Sequence, residues 1–270
     1  LQLDVDADGT GAALLDVLRQ SPLQRKYGDY MRGLRLGGHG TLALALHIPL
    51  EAKLGSPRVD GHADIERVDL HDTTWGVDFD AASGRVRFSE RGFLADELNV
   101  GFNGALGALT VAVGGYTSED DHLVEASLRG RFPAHVLTAQ HPASRWLEPW
   151  LTGDSDWNLQ LTVPSLASGE PAAPVLRVRS DLVGTAITLP APMRKTAADR
   201  LPLDMSMDLP LEDGGLDLRL GGLLRVRGHN DGQQGFSGLA AFGEVVDSER
   251  QQAVHGLHIA GQVPVLDLAA

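Results

Sequence analysis

Residues 40–50 read GTLALALHIPL. The even positions are Leu42, Leu44, Leu46, Ile48 and Leu50; the odd ones are Thr41, Ala43, Ala45, His47 and Pro49. Side chains on a strand alternate faces. A strand here therefore carries a continuous row of branched aliphatics on one face and small or polar groups on the other. That greasy face must lie against something: a second sheet, helices, its own curvature or a ligand.

The same alternation returns along the chain. Val59, Gly61, Ala63 and Ile65 alternate with Asp60, His62, Asp64 and Glu66, and Trp75, Val77 and Phe79 with Gly76, Asp78 and Asp80. Further runs are Leu98-Val100-Phe102, Leu109-Val111-Val113, Val124-Ala126-Leu128 and Trp157-Leu159-Leu161-Val163. Met205-Met207-Leu209-Leu211, Leu216-Leu218-Leu220 and Leu257-Ile259-Gly261-Val263 continue the series. AASG at 81–84, EDGG at 212–215 and GHNDG at 228–232 have hairpin-turn composition. The expected fold is mostly β: a long meander of antiparallel strands with one wet face.

Helical signal is confined to two places. GAALLDVLRQ at 11–20 has helix formers, apolar residues at 14, 15, 17 and 18, and Asp8 or Thr10 as N-cap; Pro22 then restarts a second short helix. PAHVLTAQHPASRWLEPW at 133–150 has the same helix, proline, helix arrangement. The likeness extends further: GTLALALHIP at 40–49 resembles SDWNLQLTVP at 155–164, and HADIERVDL at 62–70 resembles RSDLVGTAITL at 179–189. Two repeat units are expected, 1–131 and 132–270, each a helical pair (near 11–32 and 133–150) followed by a meander in one continuous sheet.

Composition narrows the function. Of 270 residues, 43% are hydrophobic, so the chain can bury a core. Its 23 Lys and Arg against 36 Asp and Glu give a net charge of −13, and no basic run is dense enough to follow a nucleic-acid backbone. With no cysteine, disulfides and thiolate metal sites are excluded. No apolar run approaches the roughly 20 residues of a membrane-spanning helix. The chain begins LQLDVDA and ends VPVLDLAA, both strand-like, and reads as a piece of a longer protein.

The order of motifs carries a resemblance. A helix-proline-helix precedes the G-x-L-x-L-x-L-x-I-P-L strand; D-L-x-G-x-A-I-T-L-P-A-P follows at Asp181 to Pro192, and G-L-x-I-x-G-x-V-P-x-L-D-L at Gly256 to Leu268. From about residue 12 onward this resembles YhdP-type members of the AsmA-like family. The resemblance implies a large Gram-negative envelope protein anchored in the inner membrane and crossing the periplasm. Its strands would curl into an elongated apolar groove that carries phospholipid toward the outer membrane. It implies no catalytic residue, cofactor or metal, only a lining. On the alternating parity that lining is Leu42, Leu44, Leu46, Ile48, Val59, Ile65, Trp75, Val77, Phe79, Leu98, Val100, Phe102, Val111 and Val113. In the second unit it is Trp157, Leu159, Leu161, Met205, Met207, Leu209, Leu257 and Ile259.

Physical chemistry agrees. Exposing an acyl chain of about sixteen carbons costs about 12 kcal/mol at roughly 0.8 kcal/mol per CH₂, and a greasy trough removes that cost. Only 5% of residues are aromatic, and an aliphatic lining offers area without fixed geometry. Two other readings stand beside this one: a closed-core β-repeat module that is structural or binds protein, and a β-rich glycan hydrolase. The alternating runs fit a closed sandwich equally well; no paired-carboxylate motif supports the hydrolase. The partner expected is phospholipid, for a monomeric fragment.

Sharper motifs carry less. DVDADG at 4–9 opens like an EF-hand loop, but the twelfth position is Leu15 and the stretch reads as a wet strand leading to a capped helix. His255 and His258 would point to opposite faces of a strand, which is wrong for sharing a metal. Ser237 in GFSGL lacks the second glycine of a nucleophile elbow, and Glu119-Asp120-Asp121 reads as a solvated loop tip.

Overall fold

The computed structural model describes residues 2–20, 28, 32–47, 49, 58–139, 144–165, 173–233, 235–243 and 256–262. Strand dominates. The chain forms two compact units, Leu1–Leu128 and Arg129–Ala270.

The first unit contains β1 (Gln2–Thr10), α1 (Gly11–Gln20), β2 (Leu34–Leu36), β3 (His39–His47), β4 (Arg58–Asp72), β5 (Val77–Ser89), β6 (Gly92–Phe102) and β7 (Ala105–Gly114). Its strands pair in the order β1-β3-β4-β5-β6-β7, with β2 beside β4. The unit boundary falls within β8 (His122–Pro133). Next come α2 (Ala134–Ala139), a 3-10 turn (Arg145–Trp150), β9 (Leu151–Pro164), β10 (Val175–Ser180), β11 (Thr185–Ile187) and β12 (Leu203–Asp208). β13 (Gly215–Leu220), β14 (Leu224–Asp231), β15 (Gly235–Phe242) and β16 (Gly256–Gly261) complete the second unit. Its path is β9-β10-β12-β13-β14-β15-β16, with β11 on β9. Among the described residues no pairing closes either path into a barrel.

Each of these two paths is antiparallel except at the last step of the second, where β16 runs parallel to β15. A parallel neighbour needs a connection of about a dozen residues rather than a hairpin, and residues 243–255 separate the two strands.

Helix α1 forms where its composition places it. Thr10 Oγ1 accepts a hydrogen bond from the Ala13 amide at 3.3 Å, capping the first turn. Leu14 and Leu15 are buried, and a Cβ at Gly40 would stand 3.1 Å from Leu14 Cδ1, so the helix lies over the Gly40 end of the β3 apolar row. The DVDADG stretch is strand β1. Pro22 and its helix lie outside the described residues, while the second half of the 133–150 pair is only a 3-10 turn with Pro149 inside.

Two turn assignments are corrected. AASG at 81–84 sits inside β5, and GHND at 228–231 belongs to β14. The AASG segment is one of three bulges. Arg67, Ala81 and Glu97, in β4, β5 and β6, have φ of 47°, 51° and 51°, and the pairing register shifts beside each. A left-handed non-glycine residue is strained, and here each amide has a side-chain acceptor. The Arg67 amide donates to Ser83 Oγ at 2.9 Å, that of Ala81 to Asp69 Oδ1 at 3.1 Å, and that of Glu97 to Thr110 Oγ1 at 3.4 Å. The extra residue flips parity. Thus Ile65 is followed on its face by Val68, Phe79 by Ala82, and Ala95 by Leu98, and Val68 and Ala82 are fully buried.

In the second unit the Asp181 to Pro192 motif folds around a buried ammonium. Lys195, 6% exposed, donates to the carbonyls of Leu182 (2.8 Å), Thr185 (2.6 Å) and Thr196 (2.9 Å). Beside it the buried hydroxyls of Ser155 and Thr185 pair at 2.9 Å, tying the loop to β9. Burial pushes Lys195 below the ordinary lysine range, opposed by the charges of Asp199 and Asp181. Removing the ammonium takes a donor from each of the three carbonyls, of which that of Leu182 keeps the Thr185 amide at 3.2 Å. Lys195→Met is expected to lose roughly 3 kcal/mol, read from the urea midpoint, and Ser155→Ala about 1 kcal/mol.

Candidate functional site

Directly opposed residues of an antiparallel pair share a face, so register decides which side chains form one surface. In the first unit one row runs Val5, Leu44, Gly61, Phe88, Phe93, Val113 across six strands. The next row, two residues along each strand, is Ala7, Leu42, Ala63, Val86, Ala95, Val111. Leu46 and Val59 extend the same face, and Ile65 faces Gly40. Beyond the bulges Leu98, Val100, Phe102 and Phe79 follow, with the Phe79 and Phe102 rings 5.6 Å apart. Val77 begins β5, opposite Asp72.

The second unit repeats the pattern with other residues. One row is Leu159, Val178, Met205, Leu218, Val226, Ala240, Ile259, across seven strands. Beside it runs Leu161, Leu176, Met207, Leu216, Gly228, Gly238, Leu257, and on the other side Trp157, Ser180, Leu203, Leu220, Leu224, Phe242. At about 4.8 Å per strand these rows are roughly 24 and 29 Å long. A single acyl layer is about half of a 30 Å bilayer core.

Two expected lining residues fall outside the paired strands. Trp75 lies in the turn that joins β4 to β5, because Asp72 and Val77 already close that hairpin. Leu209 lies just beyond the end of β12, where its amide donates to Pro174 O at 2.8 Å. Ile48 lies outside the described residues.

Coverage of these rows is partial. Leu42 beneath α1 is 2% exposed, whereas Leu44 and Leu46, farther from the helix, are half-buried. Val86, Phe93, Val111, Leu159, Leu161, Met205, Leu218 and Val226 are also half-buried. Leu257 and Ile259 on β16 are 53% and 70% exposed. Inward residues of a sealed sandwich would be buried throughout.

The opposite face of the second unit is charged. Arg177 and Arg179 flank Asp204 at 3.1 and 3.3 Å, and Arg225, Arg227 and Arg219 surround Asp217 at 3.2, 3.0 and 3.7 Å. No run of sequence was basic enough to expect this. The arginines occupy alternate positions in short strands, and only pairing gathers five of them around two aspartates. Burial would raise the Asp204 carboxyl, but the hydrogen bonds and charges of Arg177 and Arg179 hold it below the ordinary aspartate range.

The family described as YhdP protein matches residues 1–270. The chain belongs to the YhdP family. No curated protein and no solved structure matches it. Among the described residues this YhdP-family chain carries an aliphatic face in each unit and a guanidinium ladder on the opposite face of the second. Among the described residues no group of His, Asp or Glu is arranged to hold a metal ion, and no helix is long and apolar enough to cross a membrane.

The ladder makes a pH prediction. Because the native Asp204 carboxyl titrates below its unfolded value, its stabilisation is complete above the unfolded pKa and is lost as pH falls through the native one. Asp204→Asn is expected to lower the thermal midpoint at pH 7 and to converge with the parent in strong acid. Equal shifts at both pH values would contradict the ion pairing.

Proposed function

We propose that this chain is a segment of a lipid-conducting YhdP-family protein, whose apolar rows carry phospholipid acyl chains through the periplasm between inner and outer membranes. The observation that supports this reading is the pair of continuous aliphatic rows left half-covered by the protein's own residues. A tail lying on them completes the burial of Leu44, Leu46, Leu159 and Met205 while sparing its own methylenes the cost of water, about 0.8 kcal/mol for each. In this reading the chain binds by area and performs no chemistry. The polar head remains at the solvent side, and the tail shifts along neighbouring rows at little cost because each aliphatic contact resembles the next.

Methionine suits such a surface. Met205 and Met207 sit at adjacent rows on β12, and their flexible thioethers adapt to tails of varied shape. The same reading places the chain in the periplasm, the aqueous space that an acyl path between inner and outer membranes must cross.

The test contrasts two neighbours on β3. Leu44 belongs to the apolar row; Ala45 is exposed on the opposite face, between Asp4 and Asp60. Leu44→Asp places a carboxylate on the tail path, where desolvating it costs several kcal/mol. It is expected to reduce co-purified phospholipid, measured by mass spectrometry after organic extraction, by more than half, with the thermal transition retained. Ala45→Asp should keep both. If Leu44→Asp retains the full lipid load, the row is not the path; if it unfolds the domain outright, the face is a closed core.

A further inference from the structure

The row Leu161, Leu176, Met207, Leu216, Gly228, Gly238, Leu257 has two positions without a side chain, opposed across β14 and β15. We propose that the ring of Phe236 supplies the floor missing there and is the contact on which an acyl tail crosses these two strands, an inference that rests on the reading of the rows as an acyl path.

Phe236 stands on the same face, two residues from Gly238 on β15 and opposite Asn230 on β14. Diagonal neighbours on a sheet face are within reach of an aromatic side chain, and this ring leans back over both glycines. A Cβ on Gly228 would stand 2.7 Å from Phe236 Cε2, and one on Gly238 would stand 2.8 Å from Cε1. Neither glycine has a positive φ, so backbone conformation does not call for glycine at either position. What excludes a side chain is space, taken by the ring and by the carbonyls of Ser237 and Arg227, 2.7 and 2.6 Å from the same two Cβ positions. On the far side Asn230 ends the apolar face, its Nδ2 donating to Leu211 O at 2.9 Å. The ring turns from that amide toward the row.

Two empty positions, at about 4.8 Å per strand, would leave a notch roughly 10 Å across between Leu216 and Leu257. A tail spanning it would lose its dispersion contacts on the floor side, and the ring restores them. Gly238 beneath the ring is buried, whereas Phe236 is half-buried, on the face that carries Met205, Leu218 and Val226. The first unit has the same pairing in a sealed form. A Cβ on Gly61, again without a positive φ, would stand 2.6 Å from Cζ of Phe88 directly opposite, and Phe88 is 2% exposed. A ring over glycine supports a sheet in both units. Only in the second does it stay accessible to a tail.

The photoreactive residue p-benzoylphenylalanine, placed in turn at positions 205, 236 and 239 of the chain, tests this after loading with dioleoylphosphatidylcholine from vesicles. Met205 lies on the neighbouring row, and Leu239 on the opposite face of β15. Irradiation is expected to give lipid adducts at 205 and 236, read by intact mass, at least roughly tenfold above those at 239, because successive side chains take opposite faces. Adducts at 205 without 236 overturn the role of Phe236 and leave the acyl path standing. Adducts at none of the three positions, or equally at all three, overturn both readings. Phe236→Ala separates a floor for the tail from support of the sheet: it is expected to lose about half or more of the co-purified phospholipid per folded chain. If it lowers the thermal midpoint and keeps the full load, the ring serves the sheet alone and the inference is overturned. Should that variant fail to fold, the adducts alone decide.

Discussion

Antiparallel pairing passes parity from strand to strand, and everything else in this protein depends on that. Two residues opposed across a ladder share a face, so when each strand pairs with its neighbour in sequence, the greasy parity of one dictates that of the next. Leu44 therefore meets Gly61, Gly61 meets Phe88 and Phe88 meets Phe93, with no other instruction than the hairpins between them. The result is an apolar surface that continues from strand to strand, the feature on which the proposed acyl path rests.

Strands of 15, 13 and 11 residues cannot hold that parity flat, because sheet twist accumulates along them. The bulges at Arg67, Ala81 and Glu97 release it. Each bends its strand and moves the apolar side by one residue, and each amide is compensated by a serine, aspartate or threonine on a neighbouring strand. The polar face thus stabilises the strained backbone that lets the apolar face stay continuous.

The second unit meets the same demand with different means. Its strands β10, β12 and β13 are six residues long, and the segment between β10 and β12 is organised around Lys195, whose three carbonyl contacts add to the short pairing of β11 with β9. Behind the apolar rows, alternate arginines share Asp204 and Asp217. Each carboxylate takes two or three guanidinium forks, so a few acids order many strands and leave a surplus of positive charge on one side of an acidic protein.

Local patterning was legible without coordinates: it identified the β class, strand β3 with its alternation from Leu42 to Leu46, the alternating runs through Leu159 and Met205, and helix α1 with Asp8 or Thr10 as its cap, of which the structure uses Thr10. These follow from local stereochemistry, which alternation and hydrogen-bonding side chains report directly. Tertiary structure decided the rest. Nothing local distinguishes AASG as a bulge from AASG as a turn, since glycine and small residues serve both; the neighbours β4 and β6 settle it by continuing to pair on either side. Trp75 and Leu209 keep the correct parity in sequence, yet fall in a turn and beyond a strand end, because a ladder stops where its partner stops. The arginines at 177, 179, 219, 225 and 227 gather around Asp204 and Asp217 only through strand pairing, over distances that no motif spans.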